Sequence, residues 1–205
     1  MKKIAVNNDK ICRLRVYMKI EQHWLSGIIH IPSPNFNERP DEKDISLLVI
    51  HCISLPPGKF GHDYVDKLFC NQLDPNEHPY FKEIYQLKVS AHLLIKRNGD
   101  CVQYVPFNQR AWHAGQSNYQ GRTNCNDYSI GIELEGTEYI TYTQAQYDQL
   151  VKIINGLLAV YPDLSQHRIV GHSDIAPGRK TDPGESFDWS KLFTLLENSA
   201  IDNKV

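Results

Sequence analysis

The apolar positions of this chain form short strand-like runs and one long helical repeat. Leu47 to Ile50 is an unbroken apolar run, led in by Ile45 and closed by His51. At that length it predicts a strand buried on both faces. Tyr128 to Glu135 alternates instead, placing Ile130, Ile132 and Leu134 on one face and Gly131, Glu133 and Glu135 on the other. Val89 to Lys96 and Cys101 to Val105 flank Arg97-Asn98-Gly99-Asp100, and an Asn-Gly turn between apolar runs predicts a hairpin. From Thr143 to Tyr161, residues Tyr147, Leu150, Val151, Ile154, Leu157 and Leu158 recur at helical spacing. Thr143 and Gln146 offer a capping box, and Pro162 ends the repeat. Arg168 to Gly171 reads as a brief strand, and Asp188 to Leu196 as a closing helix with Asp188 at its N-cap. Strands interleaved with helices predict an α/β fold: a single domain with a mixed central β-sheet flanked by helices.

Elsewhere the pattern thins. Ile28 to Pro40 carries Pro32, Pro34 and Pro40 and reads as extended coil. Residues 52–86 hold Pro56-Pro57-Gly58, Gly61, Pro75 and Pro79, with one short amphipathic stretch from Tyr64 to Phe69. A long, weakly patterned insert after a candidate ligand is expected to form a site rim or lid rather than a packing element. Residues 1–20 form an unpatterned N-terminal extension, which leaves 21–200 as the working domain.

A chain of 205 residues, 41% hydrophobic and 22% charged, can bury one sizeable core. A net charge of −2 and a pI near 6.5 give no basic face for nucleic acid. Ile4-Ala5-Val6 is too short an apolar run for a secretory signal, and nothing approaches the ~20 apolar residues of a membrane span. Five scattered cysteines with no Cys-x-x-Cys pair suit free thiols in a reducing compartment. The expectation is a cytoplasmic monomer with neither nucleic-acid nor membrane partners.

The chemistry concentrates in His172-Ser173-Asp174-Ile175-Ala176-Pro177-Gly178-Arg179-Lys180-Thr181-Asp182-Pro183-Gly184, a segment too rich in Gly and Pro to be read as helix. His172 and His51 each follow a strand, where α/β proteins place their ligands. With Asp182 they compose the protein half of a metal site with one position left open. Zinc is the first choice, although two histidines and a carboxylate also fit a non-haem iron oxygenase. Glu133, beside Gly131, has room for water or substrate and is placed to act as a base, but Glu135 shares its face and alternation does not choose between them. Lys180 can stabilise an oxyanion. Trp112, next to His113, either stacks on a sugar ring or plugs the core.

These stretches together resemble the zinc-dependent N-acetylmuramoyl-L-alanine amidases, most closely the cytosolic AmpD type acting on 1,6-anhydro-N-acetylmuramyl peptides. The resemblance runs from about Trp24 to Trp189. It is carried by Pro32-Ser33-Pro34-Asn35-Phe36, His51-Cys52-Ile53-Ser54-Leu55-Pro56-Pro57-Gly58, Val89-Ser90-Ala91-His92, Ala111-Trp112-His113-Ala114-Gly115, Ser129-Ile130-Gly131-Ile132-Glu133-Leu134-Glu135-Gly136 and the loop ending at Gly184. It implies His51, His172 and Asp182 as zinc ligands, Glu133 rather than Glu135 as the base, Lys180 as the stabiliser of the transition state, and Trp112 and His113 as lining of a muropeptide cleft. The implied reaction cleaves the amide between the lactyl group of muramic acid and L-alanine, in wall recycling that also controls inducible β-lactamase. One departure is Cys52, where this family commonly has asparagine; near-normal zinc binding with altered substrate affinity is expected. The competing reading is a non-catalytic peptidoglycan-recognition module of the same fold, but such modules commonly lack a zinc ligand and this chain keeps all three. A secreted amidase acting on intact wall would need the signal that Ile4 to Val6 does not supply.

Overall fold

In the computed structural model, which describes residues 18–201, six strands form the central sheet: β1 (Ile29–His30), β2 (Leu47–Ile53), β3 (Leu93–Ile95), β4 (Cys101–Gln103), β5 (Ser129–Glu135) and β6 (Ile169–Gly171). Their spatial order is β6-β2-β5-β3-β4-β1. The pairings β6–β2, β2–β5, β5–β3 and β4–β1 are parallel, and the hairpin β3–β4 is antiparallel, so the sheet is mixed. The helices are α1 (Tyr64–Phe69), α2 (Phe81–Ile84), α3 (Gln144–Val160), α4 (His172–Ile175) and α5 (Trp189–Ile201).

The two faces of the sheet carry different jobs, and the register explains why. Leu48 and Ile50 of β2 and Ile130, Ile132 and Leu134 of β5 point to one side. There they pack with Tyr147, Leu150, Ile154 and Leu157 of α3 and Leu192 and Leu196 of α5, in the main core. This is the buried stripe that the helical repeat predicts, and each fully buried aliphatic side chain there contributes on the order of 1.5–3 kcal/mol. Leu47 and Val49 point the other way, against Ala114, Cys125, Tyr128 and Ile175. The functional face is this second one, because His51 and Glu133 continue the same alternation and are direct register partners across β2 and β5.

Helix α3 begins with the expected capping box, Thr143 and Gln146 each satisfying the other's backbone. Asp188 accepts the Lys191 N–H at 2.9 Å and caps α5. At the hairpin turn Gly99 has φ +90°, which a side chain would strain, and its N–H bonds back to Lys96. Met18 and Ile20 already pack on the main core. The rest of the extension expected at residues 1–20, residues 1–17, lies outside the described residues.

Three expectations are revised. His172 to Ile175, read as loop, is a turn of α-helix. His172 and Ile175 stand three apart and both bury, while Asp174 accepts the Gly171 N–H at 2.7 Å at the start of the turn. Pro177 then stops it. The insert 52–86 does pack: Leu55, Val65, Leu68, Phe69, Leu73 and Phe81 gather around Tyr104 and Leu94 in a second core, and Tyr104 hydrogen-bonds Asp66 of α1. Within the proline-rich coil, Phe36–Glu38 pairs antiparallel with Gln109–Ala111, a contact between segments some 70 residues apart that no local pattern announces.

Candidate metal centre

His51 and His172 are almost wholly buried, and Asp182 reaches them from the far end of the loop after α4. The Asp182 Oδ2 lies 3.0 Å from His51 Nδ1 and 3.1 Å from His172 Nδ1, and the two Nδ1 atoms are 3.0 Å apart. These three atoms form the one potential metal-ligating cluster of such residues among those described. Two ligands about 2.0–2.1 Å from a tetrahedral zinc stand roughly 3.3 Å apart, so the triangle is close to ligand spacing. The hydrogen-bond roles agree. The His172 Nε2 faces the Ala114 carbonyl at 3.1 Å, which only accepts. In the neutral ring Nε2 therefore carries the hydrogen, and the Nδ1 lone pair points at Asp182 and His51. Lone pairs converging on a carboxylate oxygen suit a cation.

The loop is braced so that Asp182 arrives in place. The Ser173 N–H donates to the Asp182 carbonyl at 3.0 Å, and the Tyr142 hydroxyl donates to the Pro183 carbonyl at 2.8 Å. Burial alone would raise the Asp182 pKa, but the two imidazoles of His172 and His51 beside it outweigh burial and hold the group ionised. Burial lowers the His51 pKa to about 4, so its ring is neutral at physiological pH, as a ligand must be.

Glu133 and Glu135, indistinguishable by alternation, differ completely in their surroundings. Glu135 accepts the Gly61 N–H at 2.5 Å and the Arg97 N–H at 3.0 Å, tying the insert and the hairpin to β5. Glu133 is buried and its Oε2 has no hydrogen-bond partner. Burial pushes its pKa well up, the charge of Asp182 pushes it further, and Lys180 draws it back. A buried carboxylate without a partner is costly unless something else uses it. Lys180 is exposed and makes no ion pair among the described residues.

His51, His172, Asp182, Glu133 and Lys180, but not Glu135, line one cavity of about 660 Å³, together with Trp112 and His113 and walls that include Leu55, Tyr80, Ile84, Leu87, Tyr139 and Ile140. The Trp112 indole N–H donates to Asn37 Oδ1 at 2.6 Å, which fixes the ring at the rim through the unforeseen strand pair. The room expected above Gly131 is not free. The His113 ring fills it, and a Cβ on Gly131 would meet His113 Cγ at 2.5 Å. Cys52 lines the cavity edge but belongs to the opposite face of β2 from His51 and packs toward the main core. Burial raises its thiol to about 12, so it stays protonated and does not act as a thiolate ligand. Cys52→Asn should leave zinc stoichiometry unchanged and shift KM; unchanged KM and kcat would show that this position does not reach substrate.

The buried histidines also set an acid limit on the metal-free protein. Burial lowers His51 to about 4 and takes His92 and His113 well below their ordinary value. His92 Nδ1 accepts the Gly131 N–H at 3.0 Å, which leaves that nitrogen no proton. Unfolded histidines titrate near 6.5, so below that pH the unfolded chain binds the extra protons and stability falls as pH drops toward 4. His51 alone is worth about 2 kcal/mol at pH 5 by this linkage. Glu133, shifted upward, acts in the opposite sense, one carboxyl against three imidazoles. Denaturant midpoints of the zinc-free protein should therefore be lower at pH 5 than at pH 7.5; equal midpoints would mean that these rings are not held neutral.

Comparison with known proteins places this geometry. The family model described as N-acetylmuramoyl-L-alanine amidase matches residues 41–185. The chain is 55% identical over 179 residues to the 1,6-anhydro-N-acetylmuramyl-L-alanine amidase AmpD of Escherichia coli K12, covering 87% of this chain and 97% of that protein. To the AmpD of Haemophilus influenzae it is 56% identical over 184 residues, covering 90% of this chain and all of that one. A crystal structure of a selenomethionine AmpD derivative superposes with a TM-score of 0.85 at 55% identity, over 87% of this chain and 99% of its own. The E. coli amidase AmiD, solved with anhydro-N-acetylmuramic acid-L-Ala-D-gamma-Glu-L-Lys, matches with a TM-score of 0.55 at 30% identity, over 74% of this chain and 57% of its own. Since the family match runs through every residue of the His51–Glu133–Asp182 constellation, this chain belongs to the N-acetylmuramoyl-L-alanine amidases.

Proposed function

We propose that this chain hydrolyses the amide joining the lactyl group of 1,6-anhydro-N-acetylmuramic acid to the L-alanine of a stem peptide, with zinc as its resident metal, in cytoplasmic recycling of wall fragments. The observation that carries the catalytic reading is the unpartnered, buried Oε2 of Glu133 beside a His–His–Asp cluster. A module that only binds has no use for that carboxylate. The substrate class rests on the relatives, at more than half identity across nearly the whole chain. The free thiols Cys52, Cys70, Cys101 and Cys125 suit a reducing compartment, and no helix among the described residues is long and apolar enough to cross a membrane.

His51, His172 and Asp182 would hold the ion, which when bound supplies Lewis-acid polarisation and lowers the pKa of water. The chain's own residues do the rest. Glu133 removes the proton from the attacking water and, with its raised proton affinity, returns it to the departing alanine nitrogen. Lys180, at the cavity edge, faces the carbonyl oxygen as negative charge develops there. Trp112 and the apolar walls hold the sugar and peptide on either side.

Incubation of zinc-loaded protein with anhydro-muropeptide and, separately, with intact peptidoglycan tests this directly by mass spectrometry. Free stem peptide and anhydro-N-acetylmuramic acid should appear from the small substrate. Release from the polymer alone would refute the substrate, and cleavage of neither would refute the enzyme. Metal analysis should find about one zinc per chain; stoichiometric iron would refute the metal.

A further inference from the structure

The imidazole of His51 has two nitrogens, and only one can face the ion. Its Nδ1 points into the cluster, and its Nε2 lies 2.9 Å from Nδ1 of His113. Contact between two imidazoles does not by itself say which carries the hydrogen. The rest of the chain of contacts does. His113 Nε2 is 3.2 Å from Ser129 Oγ, and Ser129 Oγ is 2.6 Å from the Cys125 carbonyl. That carbonyl only accepts, so it takes the serine hydroxyl hydrogen and leaves the Ser129 lone pair for His113. His113 therefore carries its hydrogen on Nε2 and turns a bare Nδ1 toward His51. His51 must then carry its own hydrogen on Nε2, which leaves its Nδ1 free to ligate.

We propose that His113 is a positioning residue that fixes the ligating tautomer of His51 through the directed chain His51–His113–Ser129–Cys125, and that the 112–115 segment thereby sets both ligand histidines. The inference rests on the metal reading of the cluster given above. Its second half is backbone chemistry: the neighbouring Ala114 carbonyl, 3.1 Å away, takes the Nε2 hydrogen of His172, and Arg179, whose guanidinium also comes within 3.5 Å of that Nε2, donates to the same carbonyl at 2.7 Å. Two further features seat the segment. Asn126 Oδ1 accepts the N–H groups of His113 and Ala114, at 3.1 and 2.7 Å. Gly131 supplies the bare backbone on which the His113 ring lies, where a methyl group would collide with it. Partners of this kind typically change metal affinity by about 10- to 100-fold.

The direct test needs no variant. In zinc-loaded, 15N-labelled protein, long-range 1H–15N spectra should show His51 and His113 each protonated on Nε2 and not on Nδ1. A hydrogen on Nδ1 of His113 would reverse the chain and overturn the proposal. Zinc affinity by chelator competition should then fall about 10- to 100-fold in His113→Ala and about tenfold in Ser129→Ala, which removes one hydroxyl and little volume. KM of the zinc-saturated Ser129→Ala enzyme, altered at a buried residue outside the cavity lining, should stay near that of the parent. Unchanged zinc affinity with a raised KM would make His113 a substrate contact instead. If the unsubstituted protein takes up no zinc, the metal reading itself fails; if it binds zinc and the variants bind it equally well, only this inference does.

Discussion

Glu133→Gln should lower kcat by a factor of about 10³ or more while zinc stays bound at the parental stoichiometry. General acid–base catalysis by a positioned side chain is worth about 10²–10⁴, and here one carboxylate serves both proton transfers. The amide keeps the shape and the burial but cannot accept a proton at neutral pH. Of the other carboxylates near it, Glu138 in the cavity wall is taken by the Thr181 hydroxyl. Asp182 is held strongly acidic by its two histidines, and Glu135 is fully occupied by the Gly61 and Arg97 N–H groups. The informative control is Glu135→Gln, two residues along the same strand. Its amide nitrogen would oppose one of those two N–H donors, at about 1–3 kcal/mol for an unsatisfied buried group. Stability should drop and the cavity rim loosen, with kcat far less affected than in Glu133→Gln. Steady-state kinetics with metal analysis decides it: a Glu133→Gln enzyme within tenfold of the parent would place the base elsewhere.

That pair of glutamates shows where sequence reasoning stops. Alternation in Tyr128 to Glu135 puts both on the functional face, and they are there. What separates them is contact with Gly61 and Arg97, 74 and 38 residues away, which periodicity does not encode. Features governed by neighbours in the chain are readable: the Thr143–Gln146 box, the Asp188 cap, the Asn98-Gly99 turn and the apolar stripe of α3. His172 is legible as a strand-end residue for the same reason, whereas His51, read as following its strand, lies within β2, which runs on to Ile53 by pairing with β5. Features set by tertiary fit are not. Gly131 reads as space for substrate, whereas its space is taken by His113 from a segment 18 positions earlier. The proline-rich insert reads as a bare rim because its apolar residues are sparse, yet six of them suffice once Tyr104 and Leu94 supply the surface beneath. His113 itself carries a signal, a histidine beside an aromatic and a glycine, but only the tertiary contacts put its Nδ1 2.9 Å from His51 within the cavity lining.

Asp182→Ala should abolish both zinc binding and turnover, and should make the protein indifferent to chelators. The carboxylate is the only negative charge among the three candidate ligands. Without it two neutral imidazoles would face a divalent cation in a buried pocket, where charge compensation matters most. A fall of more than 10³ in zinc affinity is expected, against the 10- to 100-fold typical of partners one shell further out. Thermal unfolding separates loss of metal from loss of fold. The parent protein with zinc in excess gains stability as RT ln(1 + [Zn]/Kd), so a chelator should lower its Tm by several degrees. The variant, having no site to empty, should melt at one temperature with or without chelator. Its own metal-free Tm should also lie somewhat below that of the metal-free parent at pH 7. Asp182 titrates below its ordinary value in the folded chain, and a depressed carboxylate stabilises above its unfolded pKa and loses that contribution as pH falls. The gap between the two metal-free proteins should therefore close toward acid pH. A variant that still loses several degrees on chelation would mean that zinc is held by a different set of residues.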